Sequence, residues 1–147
     1  MDGIKIVELT EFTPAYLKGI NKLLQQLTAN KPLLGADELK GIIASENSHL
    51  FILIHEGDIA GMTTVGHYRT PTGMKYWIED VAVDNSFRGK GLGKTLIQHA
   101  IGFVSQSKKA TLMLTSTPKR VAANNLYQSI GFQRKETNVY KMSFDKG

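Results

Sequence analysis

Ile78-Glu-Asp-Val-Ala-Val-Asp-Asn-Ser-Phe-Arg-Gly-Lys-Gly-Leu-Gly-Lys-Thr-Leu96 is the stretch from which the rest of the chain can be read. It begins inside a run rich in β-branched and aromatic residues, Lys75–Val83, which predicts a strand. It ends inside Gly91–Ser107, where Leu92, Leu96, His99, Phe103 and Val104 fall on or near one helical face. Between them lie three glycines at alternating positions, Gly89, Gly91 and Gly93. Glycines leave backbone amides uncovered and permit close approach by a ligand. A helix starting at this point adds unpaired N–H groups and the positive end of its dipole. The combination predicts a phosphate cradle, with Arg88, Lys90 and Lys94 adding charge. Two standard phosphate loops fit poorly. Gly89 to Lys94 is one residue short of G-x-x-x-x-G-K-S/T. Gly89, Gly91 and Gly93 make G-x-G-x-G rather than G-x-G-x-x-G, and no acid follows about 20 residues later. On the glycines alone, a plain strand-to-helix turn is the competing reading.

Working towards the N-terminus, Thr70–Gly73 reads as a turn and Ile59–Tyr68 as the strand before it. Glu56-Gly57-Asp58 is a hairpin turn, and His49–His55 is a strongly apolar strand. Asp37–Glu46 predicts a short helix with Leu39, Ile42 and Ile43 on its apolar side. A longer helix starts at Thr13-Pro14, carries Leu17, Ile20, Leu24 and Leu27, and should end near Asn30-Lys-Pro32. Ile4–Leu9 is a first strand. Towards the C-terminus follow a strand at Ala110–Thr115, a helix at Lys119–Ile130 stopped by Gly131, and a last strand at Val139–Phe144. The order predicts a mixed α/β fold of the α+β type, with helices flanking a largely antiparallel central sheet. The absence of repeats and linkers leads us to expect a single domain over residues 1–147.

The chain has no cysteine, which excludes disulfides, thiolate metal sites and a thiol nucleophile. Its four histidines show no metal-ligand spacing, so no metal is expected. His99 reads as structural, and His67 as either an acceptor contact or an ordinary strand-end residue. Apolar residues make up 41% and charged residues 21%, as in a globular protein. No apolar run approaches the length of a membrane span, and Met1-Asp-Gly-Ile-Lys5 lacks the apolar stretch expected of a signal peptide. A cytoplasmic protein without a membrane partner is therefore expected. The net charge of +5 is unevenly spread: residues 85–135 hold nine bases and no acid. Such a segment implies a phosphorylated small molecule or nucleic acid, or else a solvated basic surface. Nucleic-acid binding calls for exposed aromatics among the bases. Of Phe87, Phe103, Tyr127 and Phe132, the second and fourth read as core, which argues against a nucleic-acid partner.

The block Ile78–Leu96 resembles the acyl-CoA motif of the Gcn5-related N-acetyltransferases. That family's signature is Arg or Gln, two residues, Gly, one residue, then Gly or Ala, and Arg88, Gly91 and Gly93 match it. A second block, Ala123-Asn-Asn-Leu-Tyr127-Gln-Ser-Ile-Gly131-Phe132, is similar to the family's A-x-x-L-Y-x-x-x-G-F. The resemblance covers roughly residues 48–144. It implies an acyl-CoA N-acyltransferase-like fold and transfer of acetyl from acetyl-CoA, as co-substrate, to a primary amine by direct attack in a ternary complex. It also implies that Arg88, Gly89, Lys90, Gly91, Leu92, Gly93, Lys94 and Thr95 hold the pyrophosphate. Val81, Ala82 and Val83 would then run along the pantetheine arm, with Asn124 a further partner. Many members carry asparagine seven residues before the tyrosine, where this chain has Arg120.

For catalysis the resemblance implies Tyr127 as general acid and a carboxylate of Glu79 or Asp80 as general base. Successive strand side chains face opposite ways, so one of the two carboxylates should meet the amine, and Glu79 is preferred. Asp80 would then bind the acceptor's cation or brace a loop. The structural alternatives are a core tyrosine at 127 and a salt bridge within the sheet at 79 or 80. The acceptor stays open among a small amine, an amino sugar, and a protein or peptide amine. The Ile78–Val83 segment is also similar to that of glucosamine-phosphate acetyltransferases. A non-catalytic acyl-CoA sensor or a nucleic-acid-binding module is the rival function, and a homodimer is allowed.

Overall fold

The computed structural model describes residues 3–28 and 32–145. Contacts divide the chain into two compact units, residues 1–114 and 115–147.

The first unit is a five-stranded sheet with helices on both faces. The strands are β1 (Ile4–Glu8), β2 (Ser48–His55), β3 (Asp58–Thr70), β4 (Gly73–Val83) and β5 (Ala110–Met113), and they lie in sequence order across the sheet. Pairings β1–β2, β2–β3 and β3–β4 are antiparallel, and β4–β5 is parallel. The β2–β3 hairpin turns through Glu56 and Gly57, both with positive φ, at 49° and 87°. That is the two-residue primed turn whose twist matches the flanking strands.

Helix α1 (Pro14–Leu27) is capped by the Thr13 hydroxyl, which accepts the Tyr16 N–H at 3.1 Å. It stops at Leu27, short of the Asn30–Pro32 end expected from sequence, and residues 29–31 lie outside the described part. Helix α2 (Ala36–Ala44) follows, and the Asn21 side chain pins the connection by bonding both Leu34 N–H (2.7 Å) and Leu34 C=O (3.0 Å). Both helices cover one sheet face, where Ile20, Leu23 and Leu39 pack on Leu50, Ile52, Met62 and Ala82. Helix α3 (Leu92–Val104) covers the other, with Leu92 and Leu96 on Leu53 and Ala60. Burying both faces is what makes β2 read as a continuous apolar run.

The second unit contains helix α4 (Val121–Ser129). The strand expected at Val139–Phe144 does not form. Val139, Tyr140, Met142 and Phe144 are 72–89% exposed, in a segment without regular structure. Alternating apolar residues suit a strand, but a strand needs a partner for its backbone, and none pairs with this one among the described residues.

Candidate active site

β4 is forked. Its parallel pairing with β5 runs only from Met74 to Trp77, opposite Ala110–Met113. Beyond Trp77 the β5-side edge of β4 has no strand partner among the described residues. On its other edge β4 stays paired to β3 as far as Val83, through a bulge. Met62 pairs with Ala82 and Thr64 with Glu79, so Thr63 alone faces both Asp80 and Val81. Asp80 takes up the extra residue with φ of 51°, a left-handed conformation that aspartate tolerates better than most residues. Thr63 is fully buried, and its hydroxyl donates to the Glu79 carbonyl at 3.0 Å. That bond ties the Glu79 carbonyl to β3 at the bulge.

The bulge also changes which way the strand faces. Trp77 and Glu79 share the α1/α2 face with their partners Gly66 and Thr64. After it, Ala82 packs on the α1/α2 side, while Val81 and Val83 pack with Leu92 and Leu96. Simple alternation, the basis for separating Glu79 from Asp80, is therefore interrupted between them. Both carboxylates are exposed. The backbone of Val81, Ala82 and Val83 follows directly on the fork.

β4 leads into a short 3₁₀ turn, Asn85–Phe87, held by Asp84. The Asp84 carboxylate accepts from the Ser86 hydroxyl (2.6 Å) and the Ser86 N–H (2.9 Å), and Lys22 of α1 stands 3.4 Å away. These hydrogen bonds, the Ser86 hydroxyl first, outweigh burial and hold the carboxyl below its ordinary range. A second link joins α1 to this turn, because Asn85 N–H donates to the Gln26 side-chain carbonyl at 2.8 Å.

Arg88 to Gly91 then carry the chain to α3. Gly91 is the N-cap residue, with φ of 74°, and Gly89 has φ of 79°. Side chains rarely adopt this conformation, so the loop's path depends on glycine. The first bonds of α3 run from Thr95 to the Gly91 carbonyl, by its N–H (3.1 Å) and its hydroxyl (3.0 Å). The amides of Leu92, Gly93 and Lys94 precede that bond and are the free donors of the helix start. Gly93 has an ordinary φ, and a Cβ built there would meet nothing within 4 Å. Among the described residues no packing requires glycine at 93, whereas a ligand seated on the helix start would. Lys90 lies 5.4 Å from the Phe87 ring, and that ring packs on His55. Uncovered amides, a helix dipole and three nearby cations fit the pyrophosphate of a coenzyme A thioester.

Tyr127 and Asn124 lie in the second unit, on α4. This helix ends in a Schellman motif: Phe132 N–H bonds the Tyr127 carbonyl (3.0 Å), and Gly131 N–H bonds the Gln128 carbonyl (3.2 Å). Gly131 has φ of 115°, and the Tyr127 and Phe132 rings meet edge to face at 6.2 Å. The Asn124 amide donates to the Thr117 carbonyl at 2.9 Å and so braces the entry to the helix.

His67 does not share a face with Glu79. It pairs with Tyr76 on the α3 face, where its ring stacks on His49 at 5.1 Å and the two Nε2 atoms are 3.1 Å apart. His99 packs edge-on against Phe51, and burial lowers its pKa. Among the described residues no cluster of three histidines and acids is placed to hold a metal, and no helix is long and apolar enough to cross a membrane.

Sequence reasoning missed Thr63, Asp84, Lys22 and Gln26. Asp84-Asn-Ser86 is a legible turn signature. Nothing local marks Thr63, Lys22 or Gln26, because their partners lie far along the chain.

A strand that parts from β5 after Trp77, bulges against β3 at Asp80 and feeds a glycine turn at a helix N-terminus has the arrangement of the N-acetyltransferase class of fold. Residues 17–132 match the Acetyltransferase (GNAT) family, and the chain belongs to it. It is 29% identical to streptothricin acetyltransferase of Streptomyces lavendulae, over 74% of this chain and 61% of that protein. The chain spans less than two thirds of the length of the first curated relatives it matches. Among solved structures it is similar to glucosamine-6-phosphate N-acetyltransferase of Arabidopsis thaliana, with TM-score 0.77, 25% identity, and 97% and 99% of the two chains covered. An aminoglycoside acetyltransferase from a soil metagenomic sample shares the fold, with TM-score 0.83, 20% identity, and 99% and 98% coverage.

Proposed function

We propose that the chain is an N-acetyltransferase in which a primary amine attacks acetyl-CoA directly within a ternary complex. The observation that carries this reading is the continuity of the forked strand, the turn and the helix start in one stretch, Ile78–Thr95. Acetyl-CoA supplies the acetyl group on a thioester. The amides of Leu92, Gly93 and Lys94, with Arg88 and Lys90, would hold its pyrophosphate. The unpaired edge at Val81, Ala82 and Val83 offers amides to the pantetheine and one N–H to the thioester carbonyl, where negative charge develops. Glu79 accepts the proton that the ammonium must lose before it can attack. Asp80 adds negative charge that favours a cationic acceptor. Tyr127 donates a hydrogen bond and then its proton to the departing thiolate, and Asn124 supports the pantetheine. Nothing in this route needs a metal, and the chain's family relatives are named for amine acceptors.

The test is calorimetry of acetyl-CoA binding to wild type and Gly93→Val. The added side chain enters open space in the protein, so the melting temperature should hold. Affinity should drop by on the order of 100-fold, the loss of one or two charge-assisted hydrogen bonds. Unchanged affinity in a folded variant would move the ligand elsewhere. Thioester cleavage measured across an amine panel then tests transfer itself.

A further inference from the structure

The α1/α2 face of the β3–β4 hairpin carries a strip of which the reaction above uses only Glu79. Trp77 is the chain's one tryptophan and is half-buried. Its indole N–H donates to the Tyr68 hydroxyl at 3.1 Å, and Tyr68 is 48% exposed. That bond satisfies the polar edge of the indole, so what the ring offers a ligand is its apolar, electron-rich face.

Opposite Trp77 stands Gly66, inside the 13-residue strand β3. A Cβ at 66 would meet only the Asn47 carbonyl, at 3.8 Å. Glycine in a strand interior weakens it and is found at bulges, at tight bends and where a ligand or another backbone comes close. Apart from that carbonyl, at ordinary contact distance, none of the described residues beyond its chain neighbours comes within 4 Å of such a Cβ. Along β4 on the same face, Glu79 lies two residues beyond Trp77 and Lys75 two residues before it, each about 7 Å away. The strip therefore reads carboxylate, aromatic face over a bare floor, ammonium.

We propose that this strip is the acceptor subsite and that it takes an amine carried on a saturated, hydroxylated ring, an amino sugar. The inference rests on the acetyltransferase reading and names its acceptor class. The ring lies on the Gly66 floor with its C–H face against Trp77, and its ammonium reaches Glu79, the base. The Tyr68 hydroxyl, having accepted from the indole, keeps a proton to donate to a ring hydroxyl. Lys75 repels a second cation at the far end, which selects against linear polyamines. A lysine side chain would leave most of the indole face uncovered.

Because Trp77 is the sole tryptophan, its fluorescence reports this subsite without requiring turnover. The full chain is titrated with D-glucosamine, N-acetyl-D-glucosamine, spermidine and a lysine peptide, with and without saturating CoA. D-Glucosamine should give a saturable change and the tightest binding. N-Acetyl-D-glucosamine, which lacks the ammonium, should bind about 10-fold more weakly or worse. Gly66→Ala should weaken D-glucosamine by a similar factor and leave acetyl-CoA affinity and thermal stability unchanged. Tighter binding of spermidine or the peptide overturns the proposal, as does silence to D-glucosamine or an indifferent Gly66→Ala. A protein that binds acetyl-CoA yet ignores D-glucosamine removes this subsite alone. One that binds D-glucosamine but not acetyl-CoA removes the acetyltransferase reading instead.

Discussion

Tyr127 sits where two demands meet. As the residue whose carbonyl and ring close the Schellman motif with Phe132, it helps end α4. As the proposed general acid, it gives a proton to the thiolate. Tyr127→Phe separates the two, because the ring contact and the carbonyl remain while the hydroxyl goes. Steady-state turnover should fall by about 10²–10⁴, the usual contribution of a general acid, with little change in melting temperature. Full turnover would leave the helix-ending role alone. Asp84 offers a second test at this scale. Its carboxyl is held below the ordinary aspartate range by Ser86 first and Lys22 last. Its contribution to stability is thus complete above the unfolded pKa and disappears as pH falls through the lower folded value. Asp84→Asn should be less stable than wild type at neutral pH, and the gap should close below about pH 4. Chemical denaturation across that range checks the sign.

At the level of elements, the decisive feature is the bulge in β4, and Thr63 is its lock. Thr63→Val keeps the shape but leaves the Glu79 carbonyl without its donor. The expected cost is about 1–2 kcal/mol, read by urea denaturation. A parallel loss of acetyl-CoA affinity is expected, because the amides of Val81–Val83 lose their alignment. The neighbouring position is tighter still. A Cβ at Gly61 would stand 3.0 Å from the Ala82 carbonyl and 3.1 Å from Leu96. Gly61→Ala should therefore cost about 1–3 kcal/mol through overpacking, measurable in the same experiment. These elements show how far the sequence could be read. The hairpins, the Thr13-Pro14 start of α1 and the Gly131 stop of α4 were legible because their signals are local. The run Arg88–Thr95 was legible because its glycines violate helix and strand preference together. The bulge was not, because it depends on which residue of β3 lies opposite Asp80, a matter of register. Nor was the absence of a strand at Val139–Phe144, since alternation says that a segment can pair and not that a partner edge is present.

On the scale of the whole molecule, charge and connectivity carry the remaining consequences. The acid-free segment 85–135 surrounds the glycine turn in sequence, so acetyl-CoA binding should weaken as ionic strength rises, whereas a contact made only by apolar groups would not. Calorimetry at low and high salt decides this. Two bonds noted above bear on a different matter. Lys22 and Gln26 tie the C-terminal half of α1 to Asp84 and Asn85, immediately before the phosphate turn. With the amine on the α1/α2 face, as proposed above, α1 would border it while these two bonds join the same helix to the approach of the thioester. Any strain that one ligand relieves in this joint is already relieved when the second arrives, and thermodynamic linkage makes the benefit mutual. Whatever factor the nucleotide thioester brings to the amine's dissociation constant, the amine must return in full, and cutting the two bonds should drive that shared factor towards one.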